Sequence, residues 1–167
     1  MQSTQYRLDQ SVHRQRSQEP EKSVVMSDSH DSCPFCDPAD RVLKENSSAV
    51  VILSNPRKVP GHFLVLPKRH VEQPWELSSK ELSDIFELIF FVEKRVIGEL
   101  GTGCDIRQNY RPFMKQSRIK VDHVHFHVIP RSFEDYIYRV SEKYDTELFA
   151  DLDDAEAAAV SKLLNDG

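Results

Sequence analysis

His123, His125 and His127 place three imidazoles within five residues of a chain that holds seven histidines in all. Histidine changes charge near neutral pH and is also the commonest neutral metal ligand, so two chemistries are open to the cluster: attack with proton transfer, or metal binding. Val124, Phe126 and Val128 alternate with the rings. Strand side chains point to opposite faces in turn, so the three imidazoles would share one face at a spacing of about 6.6–6.8 Å. For metal binding, one expects a carboxylate or further ligand at the same centre, and the local sequence does not say which. Cys33 and Cys36 form a second candidate group, separated by Pro34-Phe35. Redox use of such a pair calls for a following helix in a βαβ pattern, which is not seen; metal binding and two incidental loop thiols remain. Arg107, Arg111, Lys115, Arg118 and Lys120 make a third group, a basic stretch without one acid between its ends.

These residues need a frame. Residues 49–53 form a short β-branched run bounded by Asn46-Ser47-Ser48 and Ser54-Asn55-Pro56, which reads as a buried strand. Pro60-Gly61 launches a second strand over residues 62–67, and the two are expected to pair antiparallel. Ser78-Ser79-Lys80-Glu81 has the capping-box form. Leu82, Ile85, Phe86, Ile89, Phe90, Val96, Ile97 and Leu100 then recur at helical spacing, with Gly98, Gly101 and Gly103 at the exit. Phe90, Phe91 and Val92 give this helix more apolar surface than one buried stripe needs. Residues 104–109 read weakly as a strand and 121–130 strongly; residues 146–164 are expected to form a second helix. No internal repeat is visible.

The chain has 167 residues, a net charge of −5 and 29% charged residues, which suits one domain of ordinary size. The acidic balance argues against general nucleic-acid binding. No stretch approaches the roughly 18 apolar residues of a membrane helix and no signal-peptide pattern opens the chain, so no membrane association and a cytoplasmic location are expected. Three cysteines, an odd number, do not make a disulfide framework. Residues 1–31 hold few large apolar side chains and are expected to be a disordered extension, with Met26 as an alternative start. The expected divisions are therefore 1–31, a domain over 32–140, and a helical tail over 141–167.

The run His123-Val124-His125-Phe126-His127-Val128-Ile129, followed by Pro130-Arg131, resembles the histidine-triad (HIT) signature His-φ-His-φ-His-φ-φ, φ being apolar, at all seven positions. Residues 60–70, Pro-Gly-His-Phe-Leu-Val-Leu-Pro-Lys-Arg-His, resemble the family's upstream strand, and the Cys-x-x-Cys pair is common in its bacterial branch. The resemblance implies an α+β fold, with an antiparallel sheet of about five strands, one long helix packed on it and a C-terminal helix. It also implies a homodimer.

The family's chemistry would make His125 the nucleophile on the α-phosphorus of a purine nucleotide derivative, a dinucleoside polyphosphate or a nucleoside phosphoramidate. Its other ring nitrogen would donate to a backbone carbonyl of the same strand. His127 would bind phosphate oxygens and help protonate the leaving group, with His62 beside it. In related uridylyltransferases the third triad position is glutamine, so His127 points to the hydrolase branches. The alternative is a non-catalytic nucleotide sensor or partner-binding module using the same pocket. In zinc-bearing members the pair is completed by two histidines, which here gives Cys33, Cys36, His70 and His123 as a structural zinc set, with no organic cofactor. The chain departs from the family just before the triad, where Arg118-Ile119-Lys120-Val121-Asp122 replaces a neutral Gly-Gln-Ser/Thr-like stretch. Asn109 matches the family's phosphate-loop asparagine, and Arg111, Lys115, Arg118 and Lys120 either favour polyphosphate substrates or line a solvated loop. Val42, Leu43, Ile52 and Leu53 are the candidates for the base pocket.

Overall fold

A computed structural model describes residues 33–165. The expected N-terminal extension and the alternative start at Met26 lie outside the described residues. Five strands form one antiparallel sheet: β1 (Val42–Glu45), β2 (Ala49–Leu53), β3 (Phe63–Pro67), β4 (Gly103–Gln108) and β5 (Phe126–Arg131), in spatial order β1-β2-β3-β5-β4. The central strands β2, β3 and β5 are buried on both faces, which is why they read as nearly continuous apolar runs.

The two faces have different covers. Ala49, Val51, Val65, Val124, Phe126 and Val128 pack against the helix α1 (Ser79–Val96) through Ile85, Leu88, Ile89, Val92 and Val96. Val50, Ile52, Leu64 and Leu66 point the other way and are covered by Phe35, Cys33, Val42 and Val121. The Cys-x-x-Cys loop therefore packs onto the sheet as part of a second small core.

α1 begins as its sequence predicts. Ser78 accepts from the Glu81 N–H while the Glu81 carboxylate accepts from the Ser78 N–H, and Arg69 holds that carboxylate from the side. Arg69 and the two Ser78 bonds keep the Glu81 carboxyl down at about 2. The helix ends at Val96 rather than running on to Leu100, since Ile97 turns to extended backbone and Gly98 takes a positive φ of 92°. Its core stripe also differs from the predicted one: Leu88 and Val92 are buried, whereas Leu82, Phe86 and Phe90 remain exposed.

Two further differences concern β5 and the tail. The alternation over 121–130 continues ahead of the ladder, which starts only at Phe126; Val124 N–H instead reaches the Val71 carbonyl at 2.6 Å. After β5 come a short helix α2 (Tyr136–Val140), a 3-10 segment (Glu142–Glu147) and α3 (Asp154–Asn165), in place of one helix from 146. Arg131 ties this region to the sheet through Asp105, Asp135 and Glu142.

Candidate active site

Backbone groups decide what each histidine can do. His125 Nδ1 lies 2.7 Å from the His123 carbonyl oxygen, which can only accept, so Nδ1 carries the proton and Nε2 keeps its lone pair. Lys58 N–H, which can only donate, reaches His62 Nδ1 at 3.1 Å. Neutral His62 is therefore protonated at Nε2, which donates to His127 Nδ1 at 2.9 Å. That leaves His127 with an Nε2–H. The two rings that stand next to each other, 4.9 Å between centroids, thus present a lone pair from His125 and a donor from His127.

The rings are kept neutral. Burial, helped by the Lys58 and His125 charges, pushes His62 down to about 4. Burial also pushes His127 down, to about 3, with His125, His62, Lys58 and Arg107 adding to it. His125 is likewise lowered by burial, against a raising contribution from its bond to the His123 carbonyl. A neutral imidazole is the form that has a lone pair to give.

Local sequence explains how His62 reaches this place. Gly61 turns the chain with φ of +70°, and the Ser54 N–H bond to the His62 carbonyl closes the β2–β3 connection at 2.9 Å. His62 is 2% exposed, so its hydrogen bonds are made away from bulk water.

Cys33, Cys36, His70 and His123 gather as one cluster, with one ligand atom from each within 4.8 Å of the others. Tetrahedral zinc, with Zn–S of about 2.3 Å and Zn–N of about 2.0–2.1 Å, puts neighbouring ligand atoms roughly 3.4–3.8 Å apart. The corresponding distances are 3.5 Å for Cys33 Sγ to His123 Nδ1, 3.8 Å for Cys36 Sγ to His123 Nδ1 and 3.2 Å for Cys36 Sγ to His70 Nδ1. His123 Nε2 donates to the Pro67 carbonyl at 3.0 Å, which frees Nδ1 to face the thiols. Burial and the neighbouring Cys33 hold the Cys36 thiol up at about 11. A cation would have to displace that proton. The donor set and its spacing fit zinc.

His125, His127 and His62 line a cavity of about 570 Å³, together with Asn109, Arg111 and Arg118. Ile52 and Leu53 line it as well. Leu43 instead borders a cleft on the helix face, and Val42 packs in the second core. Lys120 does not line that cavity: its ammonium pairs with Asp122, and it borders a neighbouring cavity that shares Asn109 and Arg111 with the first.

Sequence reasoning missed four contributors. Phe35 meets both His123 and His125 edge to face, at 5.9 and 5.3 Å between centroids, and so links the cysteine loop to the His125 ring. Lys58 acts through its backbone N–H, which no side-chain pattern announces. Arg41, Arg57 and Lys58 line the cavity of the three histidines although no signal in their own neighbourhoods marks them.

A sequence model of the HIT domain matches residues 37–134. The chain belongs to the HIT family. Among its relatives is the adenosine 5'-monophosphoramidase hnt1 of Schizosaccharomyces pombe, 34% identical over 63% of this chain and 78% of that protein. Another is the asymmetrical bis(5'-nucleosyl)-tetraphosphatase of the same organism, 32% identical over 54% of this chain and 51% of that one. The HIT fold itself matches the crystal structure of a HIT family protein from Bacillus anthracis with a TM-score of 0.61, over 81% of this chain and 96% of that chain at 20% identity. The antiparallel five-stranded sheet with its long helix is thus the HIT architecture, and the Cys-x-x-Cys loop packs on one face of that sheet.

Proposed function

We propose that this HIT protein is a nucleotide hydrolase or nucleotidyltransferase that opens the bond at the α-phosphate of a purine nucleotide derivative through a covalent nucleotidyl-His125 intermediate. The observation that carries this reading is the tautomer of His125, whose Nε2 lone pair is fixed toward the cavity by the carbonyl behind Nδ1. The relatives that act on an adenosine phosphoramidate and on a bis(5'-nucleosyl) tetraphosphate support nucleoside phosphoramidates and dinucleoside polyphosphates as substrate classes.

His125 Nε2 forms a P–N bond to the α-phosphorus as the bond to the leaving group breaks; the electron pair goes to the bridging oxygen, which departs on a phosphate anion, or to the nitrogen, which departs as an amine after taking the His127 Nε2 proton. The ring keeps its Nδ1–H on the His123 carbonyl, which stabilises the positive charge of the nucleotidylated imidazole. His127 Nε2–H donates to a phosphoryl oxygen, and Asn109 and Arg111 supply further fixed donors, the setting in which most catalytic stabilisation of charge arises. Water then attacks the same phosphorus, gives up a proton to solvent or back to His127 Nε2 where an amine has taken that proton, and the P–N bond breaks with its electron pair returning to His125 Nε2 as the nucleoside monophosphate leaves. A pure binding module has no use for a nucleophile held in this way.

Zinc on Cys33, Cys36, His70 and His123 would be structural, since all four positions of a tetrahedron are filled by protein. It would pin the cysteine loop, and with it Phe35, against the catalytic segment. Thiolate ligands need a reducing compartment, which agrees with a cytoplasmic location. The exposed stripe Leu82, Phe86 and Phe90 on α1 supports a homodimer.

The test is to trap the adduct. Wild-type protein mixed with diadenosine tetraphosphate or adenosine 5'-monophosphoramidate should gain one adenylyl group on His125, located by peptide mass. The His125→Asn variant should gain none and lose turnover on both. Equal turnover in the variant and the wild type would refute the covalent route.

A further inference from the structure

Five cations, Arg41, Arg57, Lys58, Arg111 and Arg118, line the cavity that holds His125 and His127, and among the described residues no aspartate or glutamate lines it. We propose that they form a clamp for the leaving group, selecting nucleotides that release a chain of phosphates over those that release an amine. The inference rests on the His125-centred reading and adds to it the property by which substrates are discriminated.

The first argument is how these charges are left. Elsewhere in the domain ion pairs occupy Lys68, Arg69, Lys80, Arg107, Lys120 and Arg131, while Lys44 and Arg95 lie over the Phe91 ring. Among the described residues, none of the ion pairs uses one of the five. Arg41 spends its donors on the Pro34 and Pro38 carbonyls, and Arg111 reaches the Asn109 side-chain oxygen at 3.5 Å. Like charges gathered together repel one another: the Lys58 ammonium is lowered first by burial and then by the Arg107 and Arg111 charges, with the Asp105 carboxylate opposing them. A polyanion relieves the repulsion; an amine does not.

The second argument concerns the proton. An amine leaves a phosphorus centre only when protonated, whereas a tri- or polyphosphate departs as an anion. His127 is a neutral donor in this protein rather than a charged acid, because its Nδ1 accepts from His62. It stabilises an oxygen well and supplies a proton poorly. Fixed positive charge around the departing phosphates supplies what that leaving group needs.

The third is placement. Arg57 and Lys58 come from the β2–β3 connection, and Arg111 and Arg118 from the β4–β5 loop. The two segments carry four of the five cations together with Asn109 and His62, and Arg41 joins them from just ahead of β1, so leaving-group charge and the α-phosphate are read in one cavity.

The experiment compares kcat/KM for diadenosine tetraphosphate and adenosine 5'-monophosphoramidate in wild type, in Arg57→Ala/Arg118→Ala and in Arg57→Lys/Arg118→Lys. The alanine pair should lower the ratio of the two values by about tenfold or more, as charge-assisted contacts to the phosphates are lost. The lysine pair should keep most of the ratio. In wild type the tetraphosphate value should fall more steeply with added salt than the phosphoramidate value. A ratio unchanged in the alanine pair overturns the clamp, as does a ratio lowered equally by lysine, which would mean that shape and not charge is read. If wild type forms no adenylyl adduct with either substrate, the His125 reading fails and the clamp with it, an outcome told apart from the others by the absent adduct.

Discussion

His62 allows the electrostatics of the site to be measured as stability. The folded ring does not accept a proton until the pH falls to about 4, whereas an ordinary histidine accepts one at 6.5. As pH falls below 6.5 the unfolded chain gains a proton at this position and the native protein does not, so stability present above 6.5 is lost progressively until about 4. At about 1.4 kcal/mol for each pH unit, the loss assignable to His62 approaches about 3 kcal/mol. Because the side chain is 2% exposed, solvent screening removes little of this. The perturbation is His62→Gln, whose Nε2–H still donates to His127 Nδ1 but which does not titrate. Loss of the Lys58 N–H bond lowers stability by about 1 kcal/mol at every pH, as an ordinary hydrogen bond does. Urea unfolding of both proteins from pH 7 to pH 4, at one zinc concentration, gives the difference in stability directly. Carboxylates, thiols and the remaining histidines are common to both, so their titrations largely cancel. The wild type should start more stable at pH 7 and lose its advantage on acidification, the curves crossing near pH 5.5–6 at the slope given by linkage. Parallel curves across this range would show that His62 is not held neutral, and the tautomer chain from Lys58 to His127 would fall with it.

Zinc should raise the melting temperature of the wild type and a chelator should lower it, and Cys36→Ser should abolish most of that response in a competition titration. Arg131→Met leaves Asp105, Asp135 and Glu142 without their shared guanidinium; a cost of about 2 kcal/mol, read as a fall of roughly 6–10 °C in melting temperature, is expected for this partly buried network. Ser78→Ala removes the side-chain half of the α1 capping box and should cost about 1 kcal/mol in urea unfolding.

How much of this was legible in sequence varied with the kind of force involved. β2 and β3 were readable because apolar runs bounded by turn residues describe burial on both faces. β1 was not, since Val42-Leu43-Lys44-Glu45 is a mostly exposed edge with an irregular register against β2. The strand predicted over 121–130 was too long because alternation reports which face a side chain takes and not whether the backbone is in a ladder. β3 pairs with β5 only from Phe63↔Val128 to Val65↔Phe126, so His123 and His125 keep the alternation without the pairing. In α1 two apolar stripes compete, and periodicity alone gave the outer one, Leu82, Phe86 and Phe90, the same weight as the core. Both ligand groups were legible as residue types. The proton positions were not, because they are set by the carbonyls of His123 and Pro67 and the N–H of Lys58, and every residue has such groups.

Those three peptide groups have a consequence for anyone who would move this site into another protein. Copying His62, His123, His125 and His127 onto a foreign framework would transfer four rings without instructions for their protons. The instructions are in the trace of the main chain, which point substitution at Lys58 or Pro67 would barely disturb and a one-residue insertion nearby would erase. A transplant should therefore be judged by ring-nitrogen NMR before any rate is measured: the graft is faithful when His125 reports a protonated Nδ1 and His62 a protonated Nε2.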